Sequence, residues 1–494
     1  MSYLKRIIAA VLLLCMIPAA VFAFAACGGG ETGDPGGDPV KTGGETQESE
    51  EALTDLEKRQ LIPDNLPARD FQGKEFRFAI EENKEFEIWS KELIGEVTND
   101  VIYNRNLLIE EKFKVRITAT VYENVHSRVK TYVLAGDDAF EVYGFRAYLS
   151  YTPIVDQVLL NWYDMPYMEF DAPWYNKITN DVATFNGKLF NLTCSLAITQ
   201  MQYTYAIFFN QKLTQDFGYP PPQLYQTVYD NEWVIDRFKE IIAGIYIDVN
   251  GNSKKDADDV FGYACELTHP SDAWLAAFDQ PISSKDEDGN IVIEYVNEKT
   301  IKALEKIYDL TYNMDATFVY TKQYDEYKYF ANSKVALCPL PFRVAYSDLR
   351  TMEDPYGILP YPKWDDKQEK YLTNIFDQYS AFGIPKTLSD YEFLGVIMQS
   401  LCAESYKTVY PAFYDVALKN KYTQDADTAN MVDIVMAGAN MDLAFMFGET
   451  LFQRTPYMFR DLIQSKSVDL ISKYNKIETA LLTSLEKLTT YYEN

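Results

Sequence analysis

Two segments, KEFRFAIEE (residues 74–82) and VRITATVY (115–122), flank TNDVIYNRNLLIEEKF (98–113). In the first, Phe76, Phe78 and Ile80 alternate, the period of a half-buried strand. In the middle segment Ile102, Asn106, Ile109 and Phe113 share one helical face, with Asn99 or Asp100 placed to cap it. The last segment alternates Val115, Ile117, Ala119 and Val121. Strand, helix and strand within so short a span predict a βαβ unit, hence a parallel sheet with a right-handed crossover.

The alternation continues outward. VKTYVLAG (129–136) reads as a helix stopping at Gly136, and FEVYGF (140–145) as the next strand. YTYAIFFN (203–210), SKVALCPLPF (333–342) and YGILPYP (356–362) read as strands. EWVIDRFKEIIAG (232–244) and TIKALEKIYDLTYNM (300–314) read as helices, the former ending at Gly244. SDYEFLGVIMQSLCAES (389–405) opens with Ser389 and Glu392 spaced as a capping box. At 494 residues, such alternation predicts two α/β lobes rather than one.

The N-terminus has a different character. Lys5 and Arg6 precede an uncharged run from Ile7 to Ala26, so residues 1–26 are expected to be a secretory signal peptide. Ala25-Ala26-Cys27 resembles a bacterial lipobox, in which the cysteine is acylated and becomes the first residue of the mature chain. Residues 27–65 are then the lipidated Cys27 and a flexible tether, being rich in Gly, Glu, Thr, Asp and Pro. GGGETG (28–33) matches a dinucleotide fingerprint, but it lacks the strand before and the helix after that the fingerprint needs.

Composition excludes several functions. The net charge is −27, and a cut after Ala26 removes Lys5 and Arg6 without any acid, leaving −29. Such a surface repels phosphates, so nucleic acid is a poor partner. Of six cysteines, Cys194, Cys265, Cys338 and Cys402 fall in apolar stretches without a C-x-x-C pair, which favours buried thiols over a zinc site. His126 and His269 are the only histidines, and no nucleophile-elbow, zincin or phosphate-loop motif occurs. With 73 acidic residues, a carboxylate pair could still be assembled in space, so an exported carbohydrate-active enzyme remains open.

Two features suggest binding. In DVNGNSKKDADD (248–259), Asp248, Asn250, Asn252, Asp256 and Asp259 occupy EF-hand ligand positions for Ca²⁺. Ser253 replaces the turn glycine, so a plain polar turn is the competing reading. The chain also carries six tryptophans, whose rings can stack on sugars while Asp, Asn and Arg bond hydroxyls, although most such rings pack in cores.

YNRNLLIEEKFKV (103–115), AGDDAFEVY (135–143), FFNQKL (208–213), DVNGNSKKDADDVFGY (248–263), YGILPYPK (356–363), FGIPKT (382–387), AESYKTVYPAFYDVALKNKY (403–422) and MVDIV (431–435) occur in that order. With the lipobox, they make the chain resemble the extracellular solute-binding lipoproteins of bacterial ABC importers, in the carbohydrate-type group. The resemblance implies an α/β, two-lobed periplasmic-binding-protein-like fold of type II, its lobes joined by hinge crossings. Lobe one would hold 70–206 plus 361–405 and lobe two 207–360 plus 406–494, crossing near YAIFFN, YGILPYP and AESYKTV. It implies a sugar or oligosaccharide held between the lobes and delivered to ABC permease subunits, without chemistry or a required cofactor. A peptide or other small-solute receptor is the nearest alternative. The protein would be anchored by lipid to the outer face of the cytoplasmic membrane. Asp137 and Asp138 are the expected hydroxyl partners, Trp174 and Trp274 the expected stacking faces, and Arg343 a cleft residue.

Overall fold

In the computed structural model, β1 (Lys74–Glu81), the helix Val97–Phe113 and β2 (Val115–Tyr122) form the expected unit. β1 and β2 pair in parallel from Lys74 opposite Val115 to Glu81 opposite Tyr122. The structure describes residues 55–414, 426–448 and 451–493, which fall in the unit Leu53–Asn494. The helix cap differs from the expected one. Glu96 caps, its carboxylate accepting from the Asn99 N–H at 2.7 Å. Asp100 instead accepts from the N–H groups of Ile94 and Gly95 and closes the preceding turn. Ile102, Asn106, Ile109 and Phe113 are buried, as their spacing requires.

Along the chain follow β3 (Val142–Arg146), β4 (Leu159–Leu160), β5 (Tyr205–Asn210), β6 (Tyr246–Ile247) and β7 (Val260–Glu266). A hairpin of β8 (Ser283–Lys285) and β9 (Ile291–Ile293) precedes β10 (Thr317–Tyr320), β11 (Val335–Pro341) and β12 (Tyr356–Leu359). The last strands are β13 (Thr373–Asn374), β14 (Ser380–Pro385) and β15 (Ala439–Asn440). One sheet has the order β2-β1-β3-β14-β4, with β1, β2 and β3 parallel and β14 antiparallel to its neighbours. The other has the order β10-β7-β11-β5-β12, with β6 on β7; β7, β10 and β11 are parallel, and β5 opposes β11 and β12.

The chain passes from the first sheet to the second between β4 and β5 and returns between β12 and β14. The crossings touch. Thr204 bridges Ile375, the Phe376 N–H donates to the Tyr203 carbonyl at 3.0 Å, and β15 pairs in parallel with β13. YGIL forms β12, a strand as its reading gave, paired with β5, and the return crossing follows it. Beside the joint, Gly438 makes a close approach: an added Cβ would lie 1.9 Å from the Tyr371 carbonyl oxygen, so only glycine fits.

The helix Tyr391–Glu404 is capped by Asp390, which accepts from the Phe393 N–H at 3.0 Å. The expected capping box does not form, because Ser389 bonds Asp138 and Glu392 pairs with Arg69 at 2.8 Å. Residues 55–65, read as the end of the tether, begin with the helix Asp55–Gln60 and are docked on the body. Gln60 donates to the Lys407 carbonyl at 2.7 Å, and Asn65 donates to Glu169 at 3.0 Å. Cys194, Cys265, Cys338 and Cys402 are buried free thiols, and burial pushes Cys265 up to about 12.

Candidate functional site

Parallel strands bring their carboxyl ends to one edge, where open α/β sheets bind ligands. In the first sheet this edge carries Glu81 at the end of β1 and Arg146 at the end of β3, paired at 3.0 Å. In the second it carries Glu266 at the end of β7, Tyr320 at the end of β10, and Arg343 just past β11. Tyr203, in the first crossing, shows that the two edges face each other. The Lys84 ammonium, from the turn after β1, lies 4.6 Å from its ring centroid, and the Arg343 guanidinium 6.0 Å. One ring thus receives a cation from each sheet. Burial holds Lys84 down at about 8, against the pull of Glu87, with the neighbouring Arg146 and Arg343 adding to the effect.

The wall beyond is aromatic and polar. His269 opens the helix His269–Ala277, and its ring centroid lies 3.8 Å from that of Phe376 in the second crossing. Arg460 points Nη1 at His269 Nδ1, 3.2 Å away, and at Asp272 Oδ2, 2.7 Å away. Arginine only donates, so Nδ1 accepts, Nε2 carries the proton, and the Gln323 amide 3.2 Å from it must present its oxygen. Burial, then Arg460 and Arg343, push His269 down to about 3, so the imidazole is neutral. Tyr324, 41% exposed, stands 5.5 Å from the Arg343 guanidinium, with φ of 68°. Partly open aromatic faces among guanidinium, ammonium, amide and carboxylate groups suit a polar ligand with apolar faces.

No protein-family model matches the chain, and no curated protein matches it. Solved structures do. The sugar-binding protein MalE from the phytopathogen Xanthomonas citri aligns with a TM-score of 0.57 at 14% identity, over 85% of this chain and 100% of that one. A cyclo/maltodextrin-binding protein complexed with maltotetraose aligns at 0.54 and 13%, over 85% and 98%. The GacH receptor of Streptomyces glaucescens GLA.O, solved unliganded and with acarbose, aligns at 0.51 and 12%, over 85% and 99%. The fold is that of a two-lobed solute-binding protein. These structural neighbours are binding proteins.

Of the expected site residues, Arg343 is the one that stands beside Tyr203 where the two sheet edges meet. Asp137 and Asp138 precede β3 and so stand at the opposite end of that strand from Arg146. There Asp138 pairs with Arg77 at 3.3 Å and accepts from the Ser389 N–H at 3.2 Å. Trp174 and Trp274 are core residues, each 1% exposed. The Trp174 indole donates to Gln399 at 3.3 Å, and Trp274 packs edge-on against Tyr361 with centroids 4.9 Å apart. Neither ring offers an open face. Cys27 lies outside the described residues.

The 248–259 loop is a hydrogen-bonded turn ahead of β7. Asp248 accepts from the N–H groups of Gly251, Asn252 and Ser253, and Asp259 from those of Val249 and Asp256. Asn250 and Asn252 turn their amide N–H groups to Asp256. Among the described residues, no three His, Cys, Asp or Glu side chains are grouped to hold a metal ion. As arranged, the loop fits Ca²⁺ poorly.

Lys84, Arg146, Tyr203, His269, Tyr324 and Phe376 escaped the sequence reading. Each lies at, or a few residues beyond, a strand end or within a crossing. The rule that ligands gather at strand carboxyl ends would have found Arg146 and His269 once the strands were placed. Nothing local marks Tyr203 or Phe376.

Proposed function

We propose that this protein is a lipid-anchored extracellular receptor that closes its lobes on a sugar or oligosaccharide and delivers it to an ABC permease. The observation carrying this reading is Tyr203, set between Lys84 of one sheet and Arg343 of the other. A ring there can face a pyranose while the cations and Glu81 bond its hydroxyls, and closure about the touching crossings would tighten both contacts. Neighbours of the same fold that hold maltotetraose and acarbose support a carbohydrate ligand. Binding by closure needs no catalyst, and the one imidazole at these edges has its Nδ1 engaged by Arg460. Acylation at Cys27 after removal of 1–26 would hold the protein on the outer face of the cytoplasmic membrane.

Calorimetric titration with maltotetraose, other malto-oligosaccharides and a peptide library tests the reading. Stoichiometric binding of a saccharide without release of shorter products supports it. Turnover, or binding of peptides alone, overturns it. Cys27→Ser should abolish acylation and membrane retention, and retained lipid on that variant would remove the anchoring half.

A further inference from the structure

Where the sheet edges meet, Arg146 is neutralised by Glu81 at 3.0 Å and Arg460 by Asp272 at 2.7 Å. Arg343, just past β11, is not. Among the described residues, no carboxylate stands at ion-pair distance from it. Its guanidinium is ringed instead by phenol rings, with centroids at 5.3 Å for Tyr327, 5.5 Å for Tyr324 and 6.0 Å for Tyr203. Tyr327 is also its hydrogen-bonding neighbour. Such faces hold a cation in place but carry no net charge to neutralise it. Arg343 is only half-buried, as is Tyr203, and Tyr324 is exposed, so the guanidinium is within reach of a solute.

The other charged groups nearby do not supply the missing anion. Lys84, also beside Tyr203, is a second cation that forms no ion pair among the described residues, its Nζ donating to the Gln378 carbonyl. Lys84 is buried and therefore contributes its field rather than a contact. The carboxyl groups that feel these cations include Glu87, Glu266 and Glu326. Glu87 is enclosed and accepts from Thr199 and Ser380, and Glu266 accepts from Thr268. Burial pushes all three up, Glu326 to about 8, which leaves that carboxyl mainly protonated at neutral pH. The local excess is therefore positive, in a chain whose net charge is −27. Acidic groups elsewhere on the surface do not cancel it, because salt screens exposed charges beyond about 8 Å at physiological ionic strength.

We infer that the saccharide is an acidic one, a uronic acid unit whose carboxylate is taken by Arg343 beside Tyr203 and Tyr324. The inference deepens the saccharide reading and rests on it. A guanidinium fork matches a planar carboxylate through two parallel hydrogen bonds, and charge-assisted bonds of this kind are about twice as strong as neutral ones. A neutral sugar offers the same rings only hydroxyls and leaves the guanidinium without a counterion.

The test is calorimetry on the full chain with glucuronate, galacturonate, mannuronate and guluronate, as single sugars and short oligomers, each beside its uncharged methyl ester. At least one acid should bind, about tenfold or more tighter than its ester. Arg343→Gln should erase that preference and leave ester affinity within threefold of wild type. Arg343→Lys keeps the charge without the fork and should weaken the acid at least threefold, which carries the test if the Gln variant does not fold. Absence of uronide binding overturns the inference, as does an undiminished preference in a folded Arg343→Gln. Tighter binding of glucose 6-phosphate than of any uronide overturns it too, since the guanidinium would then serve a phosphate. Binding of maltotetraose or the esters as tightly as the acids overturns this inference and leaves the saccharide reading standing. Binding of triglutamate with no sugar bound overturns both.

Discussion

The Lys84 ammonium rests 4.6 Å from the Tyr203 ring centroid while its Nζ donates to the Gln378 carbonyl at 2.5 Å. Lys84 follows β1, Tyr203 precedes β5 and Gln378 precedes β14, so a single side chain ties one sheet edge to both crossings. A buried cation over an aromatic face contributes on the order of 2 kcal/mol when desolvated. The contact therefore fixes the Tyr203 ring in place before any solute arrives.

Tyr203→Ala should weaken saccharide binding about thirtyfold, the equivalent of about 2 kcal/mol for loss of an aromatic anchor. Titration calorimetry on a variant with unchanged circular dichroism measures it. Wild-type affinity would move the site away from this ring.

Lys84 has a folded value near 8, below its ordinary 10.5, so between these values the unfolded chain holds a proton that the native chain lacks. Stability attributable to this residue therefore rises with pH over that window, and the burial penalty is full below about 8. Urea titrations from pH 7.5 to 9.5 should show the wild type gaining on Lys84→Met. Parallel curves for the two proteins would mean that Lys84 titrates normally.

Trp174→Ala and Trp274→Ala should each cost about 3–5 kcal/mol of stability, the range for emptying a buried aromatic site. Saccharide affinity of the folded fraction should stay within twofold of wild type. A folded variant with normal stability and lost binding would return that ring to the cleft.

Gly438→Ala drives a methyl group into the Tyr371 carbonyl, and the backbone must yield because no flexible side chain can move instead. Overpacking of this kind commonly costs about 1–3 kcal/mol, and here the strain falls on the β13–β15 joint. A melting temperature several degrees lower is expected. An unchanged melt would show that the joint relaxes freely.

The 248–259 loop is braced by its own N–H groups, so EDTA should leave the melting temperature unchanged, whereas Asp248→Ala should lower it by removing three accepted bonds. A fall under EDTA that Ca²⁺ reverses would show that these oxygens regroup around the ion.

What the sequence reveals follows the distance over which each feature is encoded. β1, the helix Val97–Phe113 and β2 are set by local periodicity, and they form within a residue of expectation. Their caps depend on a single carboxylate finding an N–H, and here Glu96 outcompetes Asn99 and Asp100 for that place. The candidate site depends on contacts between residues such as Lys84 and Tyr203, or His269 and Phe376, each pair more than a hundred positions apart. Tryptophan marks bulk and apolarity, which suits core and cleft equally, so Trp174 and Trp274 could not be sorted by type. Tyrosine is the aromatic at the sheet edges instead: Tyr203 is half-buried there and Tyr324 exposed.

The four enclosed cysteines give the body a practical virtue. Maleimide dyes find no accessible thiol among the described residues, so a chain starting after Cys27 would be optically blank until a cysteine is introduced. Gln323, exposed beside His269, is such a place. A fluorophore attached through Gln323→Cys would sit beside His269, and under the proposed function its brightness would report saccharide occupancy in real time, making the protein a reagentless optical sensor.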